Sequence, residues 1–205
     1  MIKYFLFFSV FFILGCKEQK NKTLPIYGEK EFIPEIDKDT VYHTIPFWSF
    51  YNQDSVMVTS EAVNNSVYIV DFFFTHCPGI CPELLENFKK VQKDLKNENI
   101  TLVSFTVNPK DDTVERLKWY AQKNNINTNN WHFLTGDKQE IYELGINGFL
   151  VPNQEDVLAP GGFLHSEKFI LIDTKGRIRG MYNGRDEKEV NQLIADTKTL
   201  LHETN

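Results

Sequence analysis

Cysteine is scarce in this sequence: three in 205 residues, at Cys16, Cys77 and Cys81. Three cysteines do not make a disulfide framework. None is needed, because 41% of the residues are hydrophobic and 17 are phenylalanine, enough for a proper core. Positive charge is also short. Lys and Arg number 22 against 28 Asp and Glu, a formal net charge of −6, and no basic stripe is visible. That argues against a nucleic-acid binder. Nor is there a comfortable membrane span, since the apolar stretch Tyr4 to Leu14 is too short for one. No internal repeat and no second domain are visible, and the length suits one domain plus appendages.

What the N-terminus does have is a processing pattern. Lys3 precedes the apolar stretch, which closes on Ile13-Leu14-Gly15-Cys16. A small residue before cysteine at that place resembles the bacterial lipobox. The resemblance implies a signal peptide over residues 1–15, cleavage before Cys16 and diacylglyceryl modification of its thiol. Several acyl chains anchor stably where one is marginal. The alternative is an uncleaved short anchor with a free Cys16. Both put the domain in the cell envelope, outside the cytoplasm and tethered to a membrane. Lys17 to Lys30 is polar and charged without apolar period, so residues 16–40 read as lipidated N-terminus and flexible tether. Residues 41–205 form the domain.

The domain is organised around one stretch, Asp71-Phe72-Phe73-Phe74-Thr75-His76-Cys77-Pro78-Gly79-Ile80-Cys81-Pro82. Val67 to Phe74 reads as a buried strand, rich in β-branched and aromatic residues. Pro82 opens a helix with Glu83 and Glu86 in its first turns. The two thiols therefore sit where a strand gives way to a helix N-terminus. Unpaired N–H groups and the positive end of the helix dipole favour thiolate there. Four-residue spacing on a helical turn brings both side chains to one side, close enough to share a metal or close a disulfide. Two structural buried cysteines are the plainer alternative. Two prolines and a glycine in or beside the motif make poor core filling.

The rest of the chain alternates. Ile45 to Phe50 and Ser55 to Thr59 read as a hairpin turned at Asn52-Gln53-Asp54. A helix from Pro82 to about Asn97 puts Leu84, Leu85, Phe88, Val91 and Leu95 on one side, followed by a strand from Ile100 to Val107. Thr113 to Asn124 is helical, capped by Asp112 or Thr113. A strand Trp131 to Thr135 and a short helix Lys138 to Leu144 come next. Gly145 to Gly162 is a long loop of the kind that carries function. Phe169 to Asp173 and Ile178 to Tyr182 make a second hairpin. Glu187 to His202 closes the chain with Val190, Leu193, Ile194, Thr197 and Leu201 inward. The pattern predicts an α/β domain with a mixed central sheet flanked by helices, on a thioredoxin-like plan with an N-terminal β-hairpin.

On that plan the end of the long loop lies beside the cysteine turn, which makes His165 a third candidate donor. Two soft thiolates and an imidazole suit Cu(I), and Cu(II) if a further weak ligand joins. Structural zinc wants a fourth ligand that is not evident. A lone histidine is more often a hydrogen-bonded surface or core residue, and spacing by itself leaves that open. His76 is expected to point away from the thiols; His43, His132 and His202 carry no motif. Asp71 either modulates the thiols or is a satisfied polar group of the sheet.

Four stretches taken together resemble the Sco/SenC family of copper-binding, thioredoxin-like proteins involved in cytochrome c oxidase assembly. They are Phe74 to Pro82, Ser104 to Thr113, Trp131 to Gly136, and His165-Ser166 before a strand ending at Asp173. The resemblance implies Cys77, Cys81 and His165 as copper ligands. It implies delivery of copper to the binuclear copper site of the oxidase, with the copper-bearing subunit or another copper chaperone as partner. Gly79, Asn108 and Leu164 stand where the family often has acidic residues. The last departure removes a carboxylate that could orient the histidine. The competing expectation is a thiol–disulfide oxidoreductase using Cys77 and Cys81 to keep a partner's cysteines reduced. No peroxidatic motif is present.

Overall fold

The computed structural model describes residues 23–32, 40–156 and 158–204. The expected signal peptide and Cys16 lie outside these residues. At the centre is strand β5 (Val67–Phe73), buried at all seven positions. Such a continuous apolar run belongs to a strand covered on both faces. It pairs in parallel with β6 (Ile100–Thr106), which pairs in parallel with β7 (Trp131–Thr135). Antiparallel strands extend both sides. On one, β10 (Lys168–Ile172) and β11 (Ile178–Asn183) follow β5; on the other, β3 (Ser49–Asn52) and β4 (Met57–Thr59) follow β7. The order β11-β10-β5-β6-β7-β3-β4 is the mixed sheet expected.

Alternation along β5 sends Val67, Ile69 and Phe73 to one layer and Tyr68, Val70 and Phe72 to the other. The first layer is closed by α2 (Cys81–Asp94), α3 (Val114–Lys123) and α5 (Glu187–Thr204). The second is closed by α1 (Ser60–Val63), α4 (Lys138–Glu143) and the π-helical turn Leu144–Gly148 that extends α4. Phe88 seats α2 on the sheet, its ring 5.0 Å from Trp131 and 4.6 Å from Phe169. Burying such a ring contributes roughly 1.5–3 kcal/mol. It also fixes the azimuth of the helix whose first residue is Cys81.

Several boundaries differ from the sequence reading. Ile45 to Trp48 is not strand: Pro46 has no N–H for a ladder, and the Ile45 N–H goes to the Gly176 carbonyl instead. At the other end of that hairpin β4 runs straight into α1, which the sequence reading did not include. Thr113 caps α3, accepting from the Arg116 N–H, while Asp112 turns inward. In α5 the fully buried leucine is Leu200, and Leu201 is half-buried. The long loop carries β8 (Gln154–Glu155), which pairs antiparallel with β9 (Phe163–Leu164) just beyond the loop, and a 3-10 turn at Pro160–Gly162.

The stretch read as tether also differs where it is described. Leu24 is buried, and its N–H donates to Glu203 at 2.9 Å. Arg179, itself buried, donates to the carbonyls of Leu24 and Pro25 at 2.9 and 3.0 Å. Tyr27 bonds the Ile178 carbonyl, and β1 (Lys30–Phe32) pairs with β2 (Thr40–Tyr42). One buried apolar side chain and a buried arginine hold this segment on the domain.

Candidate metal centre

The parallel strands β5 and β6 end together, and the chain after β5 turns into α2 above them. Ile80, at the cap position of α2, offers no side-chain hydrogen bond to the helix start. The Cys77 sulfur takes that place, accepting from the backbone N–H groups of Cys81 and Gly79. A helix N-terminus is an anion site by virtue of those unpaired N–H groups and its dipole. The Cys77 thiol is accordingly pushed down to about 4. The largest cause is the hydrogen bond from the Cys81 thiol; the N–H groups of Cys81 and Gly79 add to it, against the burial penalty. Cys81 moves the other way. Its hydrogen bond to Cys77, its burial and the neighbouring negative charge hold it as the thiol. The pair is thus one half-exposed thiolate and one buried thiol, both unbridged.

His165 arrives at the end of β9. Its Nε2 lies 3.2 Å from the Cys81 Sγ, and its Nδ1 lies 3.1 Å from the Ser166 carbonyl oxygen. A carbonyl only accepts, so Nδ1 carries the proton and Nε2 presents its lone pair to the cysteines. The Ser166 backbone therefore does the orienting that a carboxylate at position 164 would have done. The ring stands edge-on to Phe74, centroids 5.6 Å apart. Donor atoms of Cys77, Cys81 and His165 all lie within 4.8 Å of one another. No other group of three such side chains forms among the described residues.

Two supports hold these donors. Gly161 has φ +77°, and a Cβ there would sit 2.8 Å from the Phe74 ring and 3.0 Å from Pro78. Only glycine lets the histidine loop come down on the cysteine turn. The second support is Asp112, fully buried, which accepts from the Thr75 N–H at 3.1 Å and from the Thr75 and Thr106 hydroxyls at 2.5 Å each. It ties the turn before Cys77 to the end of β6. Sequence reading weighed Asp112 only as a cap, because the link to Thr75 spans 37 residues.

His76 is exposed and, as expected, turned away from the thiols; it meets α3 instead. Arg116 donates to its Nε2 at 2.6 Å and to the Thr75 hydroxyl at 3.1 Å, and lies 4.1 Å over the Trp119 ring. His43 bonds the Gly148 carbonyl, and His132 meets Asn52. His202 is exposed on α5. None of these approaches the thiols. Asp71 is buried beneath α2, accepting from the Ser104 hydroxyl, which in turn accepts from the Trp131 N–H at 2.8 Å. Burial pushes its carboxyl up to about 7, opposed by the Ser104 hydrogen bond. Its own charge helps hold Cys81 protonated.

The SCO1/SenC family model matches residues 37–202. A Bacillus subtilis SCO1 protein homolog is 33% identical over 79% of this chain and 85% of that protein. A SCO1/SenC family lipoprotein from Bacillus anthracis has a similar crystal structure, with TM-score 0.71 and 31% identity over 77% of this chain and 95% of that one. BsSco, described with a disulfide switch and as a member of the Sco family of cytochrome c oxidase assembly proteins, matches with TM-score 0.69 and 31% identity over 78% and 94%.

Proposed function

This chain belongs to the SCO1/SenC family, and on that premise we propose that it carries copper and delivers it to the binuclear copper site of a cytochrome c oxidase during assembly. The observation that carries the reading is the meeting of the Cys77, Cys81 and His165 donors, with the imidazole lone pair turned toward the sulfurs. Two soft thiolates and one imidazole match Cu(I), and the half-exposed Cys77 gives an incoming ligand a place to attack. Copper is cargo here. On binding, Cys81 gives up its proton, so loading releases protons and is favoured by rising pH. Transfer then proceeds by stepwise exchange of these donors for those of the acceptor.

Copper titration of the reduced protein, followed by absorption, tests this against His165→Ala. Binding of one copper per chain, weakened in the variant and most of all for Cu(II), is the expected result. Undiminished binding by the variant overturns the three-donor site.

A second reading is favoured by the split between the two thiols. Cys77 is set up as attacking thiolate and Cys81 as the resolving thiol. Attack by Cys77 on a partner disulfide would form a mixed disulfide and free one partner sulfur as thiolate. Cys81 would then give its proton to that sulfur and displace the second, which takes its proton from water. The partner leaves as a dithiol and Cys77–Cys81 as the disulfide. Full rescue of oxidase activity by His165→Ala, with none by Cys77→Ser, would make this the function.

We place the domain outside the cytoplasm on a diacylglyceryl anchor at Cys16. The Gly15-Cys16 pattern supports this, as does the Bacillus anthracis relative described as a lipoprotein. No helix among the described residues is long and apolar enough to cross a membrane. Intact-mass measurement of the membrane-extracted protein decides it; an unmodified Met1 start overturns it.

A further inference from the structure

The two ends of the central sheet carry opposite kinds of surface. β5 starts at Val67, and its partner residues there, Tyr68 with Ile172 and Ile172 with Ile178, mark one end. The Leu24–Arg179–Glu203 contacts lie at this end. Cys77 follows the other end of the same strand. Seven residues of strand separate the two by roughly 23 Å. Helix α2 spans the same height, starting at Cys81 beside the donors and finishing at Asp94 near the entry of the chain.

Charge is segregated along α2. Glu83 and Glu86 occupy the half nearest the donors; Lys89, Lys90, Lys93 and, just past the helix, Lys96 occupy the other. These four lysines with Glu86 and Asp94 line a surface groove of about 610 Å³. Lys93, Lys96 and Lys198 are exposed, and Lys90, Lys93 and Lys198 all act on Asp94. Two of the groove lysines are paired, Lys89 with Glu86 at 2.9 Å and Lys90 with Asp94 at 2.5 Å, so the positive excess rests on the exposed Lys93, Lys96 and Lys198. Glu203 is paired with Arg179 at 2.7 Å and Asp173 with Arg177 and Arg179, while Glu98 is half-buried. A protein with net charge −6 thus has a locally basic end, and it is the end where the chain comes in.

We propose that this basic end rests on anionic lipid headgroups, with the clasp around Leu24 and Pro25 holding the Cys77–Cys81–His165 site away from the bilayer. The proposal rests on the anchor at Cys16. Residue 24 is only eight residues beyond it, so the end of the domain that grips Leu24 is kept near the surface. Lipid chains supply attachment in any orientation. A basic patch adds attraction that selects one orientation, and that attraction fades within a Debye length. The clasp matters because it stops residues 23–32 from acting as slack. An exchange partner then meets the copper site on the water side, roughly the height of the sheet above the headgroups.

The test uses the full lipidated chain on vesicles of phosphatidylglycerol or phosphatidylcholine, with an energy acceptor on the headgroups. After reduction, a donor dye is attached to Cys77, which is half-exposed while Cys81 is buried. On phosphatidylglycerol, transfer should be low and should rise in 1 M salt, where screening reaches about 3 Å. Lys93→Glu with Lys96→Glu should raise it too, each lost lysine cutting the oriented population roughly fivefold. Leu24→Ser should raise transfer with every lysine in place, its circular dichroism showing an intact fold. Transfer that is the same on both vesicles and in the charge-reversed variant, with the protein still co-floating with lipid, overturns the orientation alone. Failure to co-float with either vesicle overturns the anchor and the orientation together.

Discussion

Two carboxylates in one sheet show how differently its ends are built. Asp173, just past β10, is almost fully buried and bonds Arg177 at 2.7 Å and Arg179 at 3.1 Å. Burial alone would raise its carboxyl; the Arg177 hydrogen bonds overcome this and hold it below the usual range. Asp71, in β5 near the donors, accepts from the Ser104 hydroxyl and a backbone N–H but meets no cationic side chain as strong as an arginine among the described residues, and burial raises it to about 7. At the entry end the buried Asp173 and the Glu203 carboxylate have permanent cations in Arg177 and Arg179. At the donor end the Cys77 thiolate and Asp71 face a thiol, a hydroxyl, backbone N–H groups and one imidazole. On the proposed function the balancing cation there is copper, which is loaded and released.

The largest effect expected is at the paired end. Arg179→Met leaves Asp173 and Glu203 short of their shared cation and should cost about 3–5 kcal/mol in urea unfolding. Copper binding per folded molecule should be unchanged. An equal loss of copper affinity would break the division between the two ends. The wild-type pH dependence follows from the lowered Asp173 carboxyl. Its contribution is present above the unfolded value of about 3.9 and is lost as pH falls through the lower folded one.

Asp71→Asn should act with the opposite sign. An acid raised in the fold destabilises it once ionised, so the penalty is absent below about pH 3.9, grows with pH and is complete above about 7. Replacing it should add about 2–4 kcal/mol at pH 8 and almost nothing at pH 4. Equal gains at both pH values would mean packing, not charge, is at work.

Copper should stabilise the wild type by about 2.7 kcal/mol at a free concentration a hundredfold above its dissociation constant. The melting temperature of Cys77→Ser should not move. Equal shifts in both would locate the metal elsewhere. Gly161→Ala is smaller, about 1–2 kcal/mol for the positive φ and the contact with Phe74. It should weaken copper binding in excess of its effect on unfolding, because the strain falls on the loop that brings His165. The finest probe is alkylation of Cys77. Its rate should be flat above about pH 5 and fall tenfold per unit below the folded value of about 4. A rate still rising between pH 7 and 9 would remove the thiolate.

The strands β5, β6 and β7, the helices α2, α3 and α5 and the cysteine turn were readable because each is a local pattern. Apolar runs, a 3.6-residue period and proline at a helix start all act within a dozen residues. The segment after Thr23 was misjudged for the same reason. Its polar composition looks like a tether, while what holds it is one leucine and an arginine 155 residues away. The basic end of α2 was hidden by averaging, since a net charge of −6 says nothing about segregation along one helix. His165 was reached through the fold plan and the family resemblance, and its partner Cys81 lies 84 residues away.

By itself the sequence determined the central strands, the three long helices, the mixed sheet and the placing of two thiols at a helix start, because these follow from local sterics and from which residues avoid water. Only the tertiary structure decided which thiol carries the charge, which imidazole nitrogen faces it, and what compensates Asp71 and Asp173. Those outcomes depend on groups brought within 3–4 Å by chain folding, where burial and a single hydrogen bond shift a protonation equilibrium by orders of magnitude. No local pattern encodes such distances.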